Sequence, residues 1–441
     1  MSDCCPSLSR VCVMLSMIVG FGMGAWAVPV EVAFSHAPNH RPGPLKGIES
    51  RADPKGTFSW GMIRVGDVMT GVDQFDWAGV EQRLDAAASR GWHSILRPVL
   101  NVWDQRNPIP AFLKVIPGAT HTNHTGVLFP VHSHPATRKA LVDFVEAFGR
   151  RYDGDPRIGF IEVGMLGQWG EGWFPRLRSE VSLEVTPEAR QEVFDAYQRS
   201  FLKTRLLMPG TREAARAPEF GFHNDAFAFW KRQDSLDRSF AEGSAADRWR
   251  IAPVIGRVHP EFGRPDQVRN IPPDWVTPER IREWIERDHL SCLRFNDSGA
   301  VPNPYREWFI AGAVRAGYDL HLTRARWDST GAGFQLRIAM TNSGVAPFYY
   351  RWPIEVAWAT DRTIRQTWSI DGDIRTVIPG MGEVIFEPIA SPDFRPEPGA
   401  LLLMRIPNPL SKGWPIPLSN PTQDADFQGW LTLGTTVLDP E

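Results

Sequence analysis

Between Gly56 and about Asp319, apolar runs of strand length alternate with segments of helical period, and this alternation narrows the possible folds more than any other feature of the chain. Runs spaced in this way read as parallel strands joined by helical crossovers. The strand candidates are Phe58–Arg64, His93–Leu100, Arg157–Leu166, Arg205–Met208, Glu219–His223, Ile251–Ile255 and Leu290–Phe295, with Tyr318–Leu322 as a candidate eighth. Between them, Val80, Leu84 and Ala87 share one helical face, and Leu141, Phe144, Val145 and Phe148 share another. Further periodic segments run over Pro187–Leu207, Ala226–Phe240, Thr277–Asp288 (opened by Thr277-Pro278) and Tyr305–Ala316. The pattern predicts an α/β fold of the (β/α)8 TIM-barrel type. A doubly wound sheet is the alternative, and no Gly-x-Gly-x-x-Gly turn supports it.

From Leu320 the pattern changes to short alternating strands: Gly333–Met340, Ile354–Ala359, Gly382–Glu387 and Ala400–Ile406. Turns such as Asn342-Ser-Gly, Asp371-Gly-Asp and Pro379-Gly-Met-Gly separate them, which predicts an immunoglobulin-like β-sandwich over 320–441. At the other end, Arg10, the apolar stretch Val11–Gly24 and Ala25-Trp26-Ala27 have the form of a secretory signal with its cleavage site. The expected division is therefore a signal peptide over 1–27, a barrel over 28–319 and the sandwich. Export to the periplasm or beyond is expected, with no membrane span in the mature chain.

Three of the four cysteines fall within 1–27, which leaves Cys292 alone in the mature chain and allows no intrachain disulfide. Cys292 reads as a small buried apolar residue. A net charge of -3 gives no electrostatic case for nucleic acid. The 18 tryptophans against 6 tyrosines suit surfaces on which sugar rings stack, although most Trp in any fold is core.

The apolar run Ile158–Leu166 ends in Gly-Gln-Trp-Gly-Glu-Gly-Trp, Gly167 to Trp173. Glycines there allow a sharp turn off a buried strand and place Glu171 at a strand mouth between Trp169 and Trp173. Aromatic walls exclude water and raise a carboxyl pKa, which suits general acid chemistry on a glycosidic bond. The competing reading is a structural corner in which the Glu caps a helix.

Pro44-Leu-Lys-Gly47, Phe75-Asp-Trp with Leu84-Asp-Ala-Ala-Ala-Ser-Arg-Gly91, Arg150-Arg-Tyr-Asp-Gly-Asp-Pro-Arg-Ile158 and the Trp-Gly-Glu turn resemble a family of bacterial secreted glycoside-hydrolase-like barrels that carry a β-sandwich domain of unknown function. Ala316-Gly-Tyr-Asp-Leu320 and Thr341-Asn-Ser-Gly-Val-Ala-Pro-Phe348 resemble that family's entry to the sandwich. The resemblance implies an acid/base Glu, matched by Glu171, and a nucleophile Glu three strands later, where this chain has Arg257. It also implies that the acid follows the fourth strand. Glu171 follows only the third of the candidates above, so a strand near Val30–Phe34 is expected to complete the barrel.

Arginine stays protonated and is no nucleophile. The second carboxylate would then be Glu261, in Val258-His-Pro-Glu-Phe262, or Asp225, in Phe222-His-Asn-Asp225. Arg257 would bind an anionic sugar or pair with Glu171 and silence it. Arg97, His223 and Asn224 are candidates for substrate binding, against ion pairing or helix capping as structural roles. His121, His124, His132 and His134 have spacings open to zinc, but no acidic or cysteine ligand lies nearby, and neither a metal nor a cofactor is expected. The expected partner is carbohydrate. The expected function is a glycoside hydrolase, with a non-catalytic glycan-binding barrel as the alternative.

Overall fold

The computed structural model describes residues 29–436 apart from 39–40, 50–52, 54, 103–107, 124–125, 173–182, 210–218, 231–232, 234–245, 264–270, 273, 296–303, 331–332, 371 and 392. The signal-like segment, Trp173 and His124 lie outside the described residues.

Eight strands form one parallel sheet. They are β2 (Gly47–Ile48), β3 (Phe58–Arg64), β4 (His93–Val99), β5 (Ile158–Glu162), β6 (Arg205–Pro209), β7 (Gly221–Phe227), β8 (Val254–Val258) and β9 (Leu290–Arg294). Their spatial order is β2-β9-β8-β7-β6-β5-β4-β3, so each strand from β3 to β9 lies beside its neighbours in sequence. The sheet curls on itself: the Arg294 guanidinium, beside one edge, stands 3.4 Å from the ring centroid of Trp60 on the other edge strand. Helices α1 (Ala78–Ala88), α2 (Pro135–Tyr152), α3 (Pro187–Ser200), α4 (Pro278–Arg287) and α5 (Pro304–Ala313) follow β3, β4, β5, β8 and β9. This arrangement is consistent with a (β/α)8 barrel.

Local chemistry sets the helix starts. Thr186 and Thr277 accept hydrogen bonds from Ala189 N and Arg280 N at 3.3 and 3.2 Å, and Pro187 and Pro278 occupy first-turn positions whose N–H would be unpaired in any case. The helices pack Leu84, Phe144, Phe148, Val193 and Ile285 against the outer face of the sheet. Full burial of such side chains stabilises by about 1.5–3 kcal/mol each before entropy is counted.

The period of two along each strand divides the barrel interior into layers. Phe58, Ile95, Phe160, Leu207, Ile255 and Cys292 make one apolar layer, plugged by Leu45. Two residues further along, the inward positions are Trp60, Arg97, Glu162, Arg257 and Arg294. The interior is therefore oil at the N-terminal end of the strands and charge at the C-terminal end.

The C-terminal part has two antiparallel sheets. The first is ordered β1 (Val30–Ala33), β10 (Leu320–Thr330), β11 (Gly333–Asn342), β14 (Val384–Ser391); the second is β13 (Thr363–Ile370), β12 (Ile354–Thr360), β15 (Leu401–Arg405), β16 (Leu431–Thr435). Leu336 and Ile338 of the first share a core with Val356, Leu402 and Met404 of the second, as in a sandwich.

Two strand expectations are corrected here. Val30–Phe34 does not complete the barrel: β1 pairs antiparallel with β10, Val30 opposite Trp327. Tyr318–Leu322 is not an eighth barrel strand either, because Leu320 opens the sandwich strand β10. The missing barrel strand is β2, which makes β5 the fourth.

The sandwich closes the N-terminal end of the barrel. The Tyr350 hydroxyl donates to Gly159 O and accepts from Arg205 N at 3.2 Å. Tyr349 Oη donates to Trp249 O at 2.6 Å, and His289 Nδ1 lies 2.7 Å from Val345 O. Among the described residues, no helix is long and apolar enough to cross a membrane.

Candidate active site

The C-terminal ends of the barrel strands hold the charged layer, and Arg97 is its hub. The side chain is wholly buried; Nε donates to Glu162 Oε2 at 2.5 Å and Nη2 donates to Asp225 Oδ2 and Oδ1 at 2.8 and 3.0 Å. Nη1 stands 3.5 Å from Glu171 Oε1. Burial pulls the Arg97 pKa down, but Asp225, Glu162 and Glu171 together raise it above its ordinary value. One fixed cation thus orients three carboxylates.

Those carboxylates differ in environment. Glu162 is 1% exposed and also accepts from Trp60 Nε1 at 3.0 Å. Burial pushes its carboxyl up, and Arg97, His223 and Arg294 more than reverse that, holding it below the ordinary range. Asp225 is 17% exposed; burial acts the same way on it, and Arg97, His223 and Arg257 hold it well below the ordinary value. Both are carboxylates at neutral pH, so neither is a proton donor. Glu171, 15% exposed, stands further out on the loop after β5.

That loop is tightly shaped. Gly167, Gly170 and Gly172 have positive φ, and so do Met165 (73°) and Trp169 (51°), which at non-glycine residues costs on the order of 1 kcal/mol or more apiece. The strain is held by Met165 N donating to Pro98 O (2.9 Å), Trp169 N to Asn101 O (2.9 Å) and Gly172 N to Leu166 O (2.8 Å). A Cβ on Gly164 would stand 2.0 Å from Pro98 O, so only glycine allows this approach. Trp169 is left 37% exposed beside Glu171.

Of the expected residues, Glu171, Asp225, His223, Arg97 and Arg257 are brought together. His223 Nδ1 lies 3.0 Å from Asp225 Oδ2, and Arg257 Nη1 lies 3.6 Å from Asp225 Oδ1 and 4.0 Å from Glu171 Oε1. Two groups within that reach of one nitrogen are no more than about 8 Å apart, which is below the upper limit of about 9.5 Å for glycosidase carboxyl pairs. Asn224 does not join them: strand alternation turns it away from His223 and Asp225, and its Oδ1 accepts from Ala226 N at 2.9 Å. Glu261 belongs to the 3-10 turn Pro260–Gly263, past the end of β8.

The histidine loop does structural work. His134 Nδ1 accepts from Ala136 N at 3.2 Å and caps α2. His132 is buried, with Nε2 3.0 Å from Met165 O, and burial lowers its pKa to about 4. Among the described residues no group of three or more His, Cys, Asp or Glu is placed to hold a metal ion.

Sequence reasoning missed Trp60, Glu162, Arg294 and Glu49. The available signal was the alternation itself: Phe58-x-Trp60, Phe160-x-Glu162 and Cys292-x-Arg294 each place a layer-forming residue two before a site residue.

An interior charged layer at the C-terminal ends of parallel barrel strands is where barrel enzymes hold their chemistry. No family model matches the chain, and no curated protein matches it. Among solved structures, it is similar to endo-glycoceramidase II from Rhodococcus sp. in its lactosyl-enzyme intermediate form, at 12% identity and TM-score 0.42, covering 81% of this chain and 96% of that one. It is also similar to xylanase XynB from Paenibacillus barcinonensis, at 12% identity and TM-score 0.34, covering 54% of this chain and 76% of that one. A likeness of this degree brings neither reaction nor substrate to the chain.

Proposed function

We propose that this chain is an exported glycoside-hydrolase-like protein of the bacterial barrel-and-sandwich family it resembles, its sandwich of immunoglobulin-like type, acting on an oligo- or polysaccharide at the barrel mouth. Glu171 is the general acid/base and Asp225, kept ionised by Arg97 and His223, is its partner. The observation that carries this reading is that Glu171 and Asp225 both stand within reach of one nitrogen, Arg257 Nη1, at 4.0 and 3.6 Å. Asp225 replaces the carboxylate that the seventh strand lacks, Arg97 is the counter-charge to both, and Glu162 is a further anion fixed on Arg97 beneath the pair. Trp169 supplies an exposed ring against which a sugar can stack.

The test is reducing-end release by the purified chain Val28–Glu441 over a broad polysaccharide panel. Glu171→Gln and Asp225→Asn should each lower turnover by about 10²-fold or more. Turnover left intact in Glu171→Gln would overturn the assignment.

The same contact supports a second reading. Arg257 faces both carboxylates, as expected of a barrel that binds glycan without cleaving it. Saturable binding without release of reducing ends in the wild type would favour that reading.

A further inference from the structure

The charged layer uses its hydrogen-bonding capacity unevenly. Towards β4, β5 and β7, Arg97 distributes its donors over three carboxylates. Towards β8 and β9 the donors are idle. Arg294 is 1% exposed, yet none of its three guanidinium nitrogens has a hydrogen-bond partner; Glu49 Oε2 stands 3.6 Å from its Nε, at ion-pair distance only. Arg257 Nε is likewise buried without a partner, and its Nη1 meets Asp225 and Glu171 only at ion-pair distance. A buried donor left in this state costs free energy until a ligand or water fills it.

Arg257 and Arg294 are also direct register partners on adjacent strands, and both point inward. Like charges placed side by side on one face repel. The flat Trp60 ring under Arg294 contributes a cation–π contact but accepts no hydrogen bond along the guanidinium edge. Glu162 is engaged with Arg97 and Trp60 and Asp225 with Arg97, and Glu49 meets Arg294 only at the ion-pair distance of 3.6 Å, outside hydrogen-bond reach.

We propose that Arg257 and Arg294 form a subsite for an anionic substituent of the glycan, a uronate carboxylate or a sulfate ester, bridged between the two guanidinium groups. The inference rests on the glycan reading above and specifies its substrate class. An acceptor-only anion meets what the pair lacks, and guanidinium groups bind oxyanions through parallel N–H donors. The anion enters at Arg257, which is 20% exposed, and reaches down to Arg294.

The experiment is titration calorimetry of the full chain Val28–Glu441 with paired oligosaccharides: oligogalacturonate and alginate oligomers against their carboxyl-reduced forms, and chondroitin sulfate oligomers against their desulfated forms. Expected is a pair in which the charged form binds at least about tenfold more tightly, with the preference falling to about twofold or less in Arg257→Gln. Arg294→Gln should do the same. Should it fail to fold, Arg257→Gln at the partly exposed position decides. The carboxyl and sulfate arms tell the two anions apart. Equal binding of charged and neutral forms, or a preference that survives both substitutions, overturns the subsite while leaving the glycan reading in place. Binding of no oligosaccharide, charged or neutral, here and on a neutral glycan array, overturns both.

Discussion

Replacing Arg97 by Met keeps the length of the side chain and removes the cation from the centre of the site. Glu162 and Asp225 would then be buried anions without their principal partner, and breaking a buried pair from one side costs about 3–5 kcal/mol. For a barrel of this size that is a loss of roughly 5–10 °C in Tm. The dependence on pH is the sharper test. In the wild type both carboxyls are held below their unfolded values, so their stabilising contribution is complete above the ordinary carboxylate range and is lost as pH falls through the depressed folded values. Without Arg97, burial dominates and both carboxyls titrate upward. The deficit of Arg97→Met should be largest near pH 8 and shrink towards pH 5, as both groups take up protons. Thermal melts of the two proteins across that range measure it, and titrations common to both cancel in the difference. A deficit under about 1 kcal/mol, or one equal at pH 5 and pH 8, would refute the assignment of Arg97 as the counter-charge.

Other perturbations have equally definite outcomes. Gly164→Ala should destabilise by about 1–3 kcal/mol in denaturant melts, through the clash with Pro98 O, and should reduce any Glu171-dependent activity by shifting its loop. His93 and His132 are buried with pKa values lowered to about 4 by desolvation, so the unfolded chain binds more protons between there and about 6.5. Stability should therefore fall as pH drops through that window, and His132→Gln should flatten part of the slope in thermal melts. Cys292 is fully buried, and burial pushes its thiol well up, so it should react with an aromatic disulfide reagent only at the rate of unfolding. Tyr350→Phe should cost about 1 kcal/mol by removing the hydroxyl that joins sandwich to barrel, read from Tm.

The parts of this fold legible in the sequence were those with a long period. Phe58–Arg64 was read with its observed limits, because seven residues of alternation between polar turns admit little else. Gly47–Ile48 was not read, because two residues carry no period and its place depends on pairing with β9. Val30–Ala33 alternates as a barrel edge strand would, and periodicity holds no information on which sheet receives it. At the site, the glycines around Glu171 announced a turn. Glu162 lies inside the apolar run Ile158–Leu166 with no such punctuation to mark it, although it is the more deeply fixed of the two. The approach of Arg257 to Glu171 was among the expectations, but its approach to Asp225 as well was not: that depends on how the interior layers face one another, a property of the closed barrel and not of any segment.

The pairing of Val30–Ala33 with the strand that starts at Leu320 has a consequence for how the molecule is made. Residues 30–33 are synthesised before the barrel and stay without their strand partner until β10 follows it, about 290 residues later, and β10 presents an open hydrogen-bonding edge until the two dock. Vectorial synthesis therefore cannot finish the sandwich early, and the barrel is looped between the two halves of one sheet. A protease or a misplaced fusion that disturbs residues 30–33 would act at the far end of the sequence, leaving β10 free to recruit a strand from another molecule.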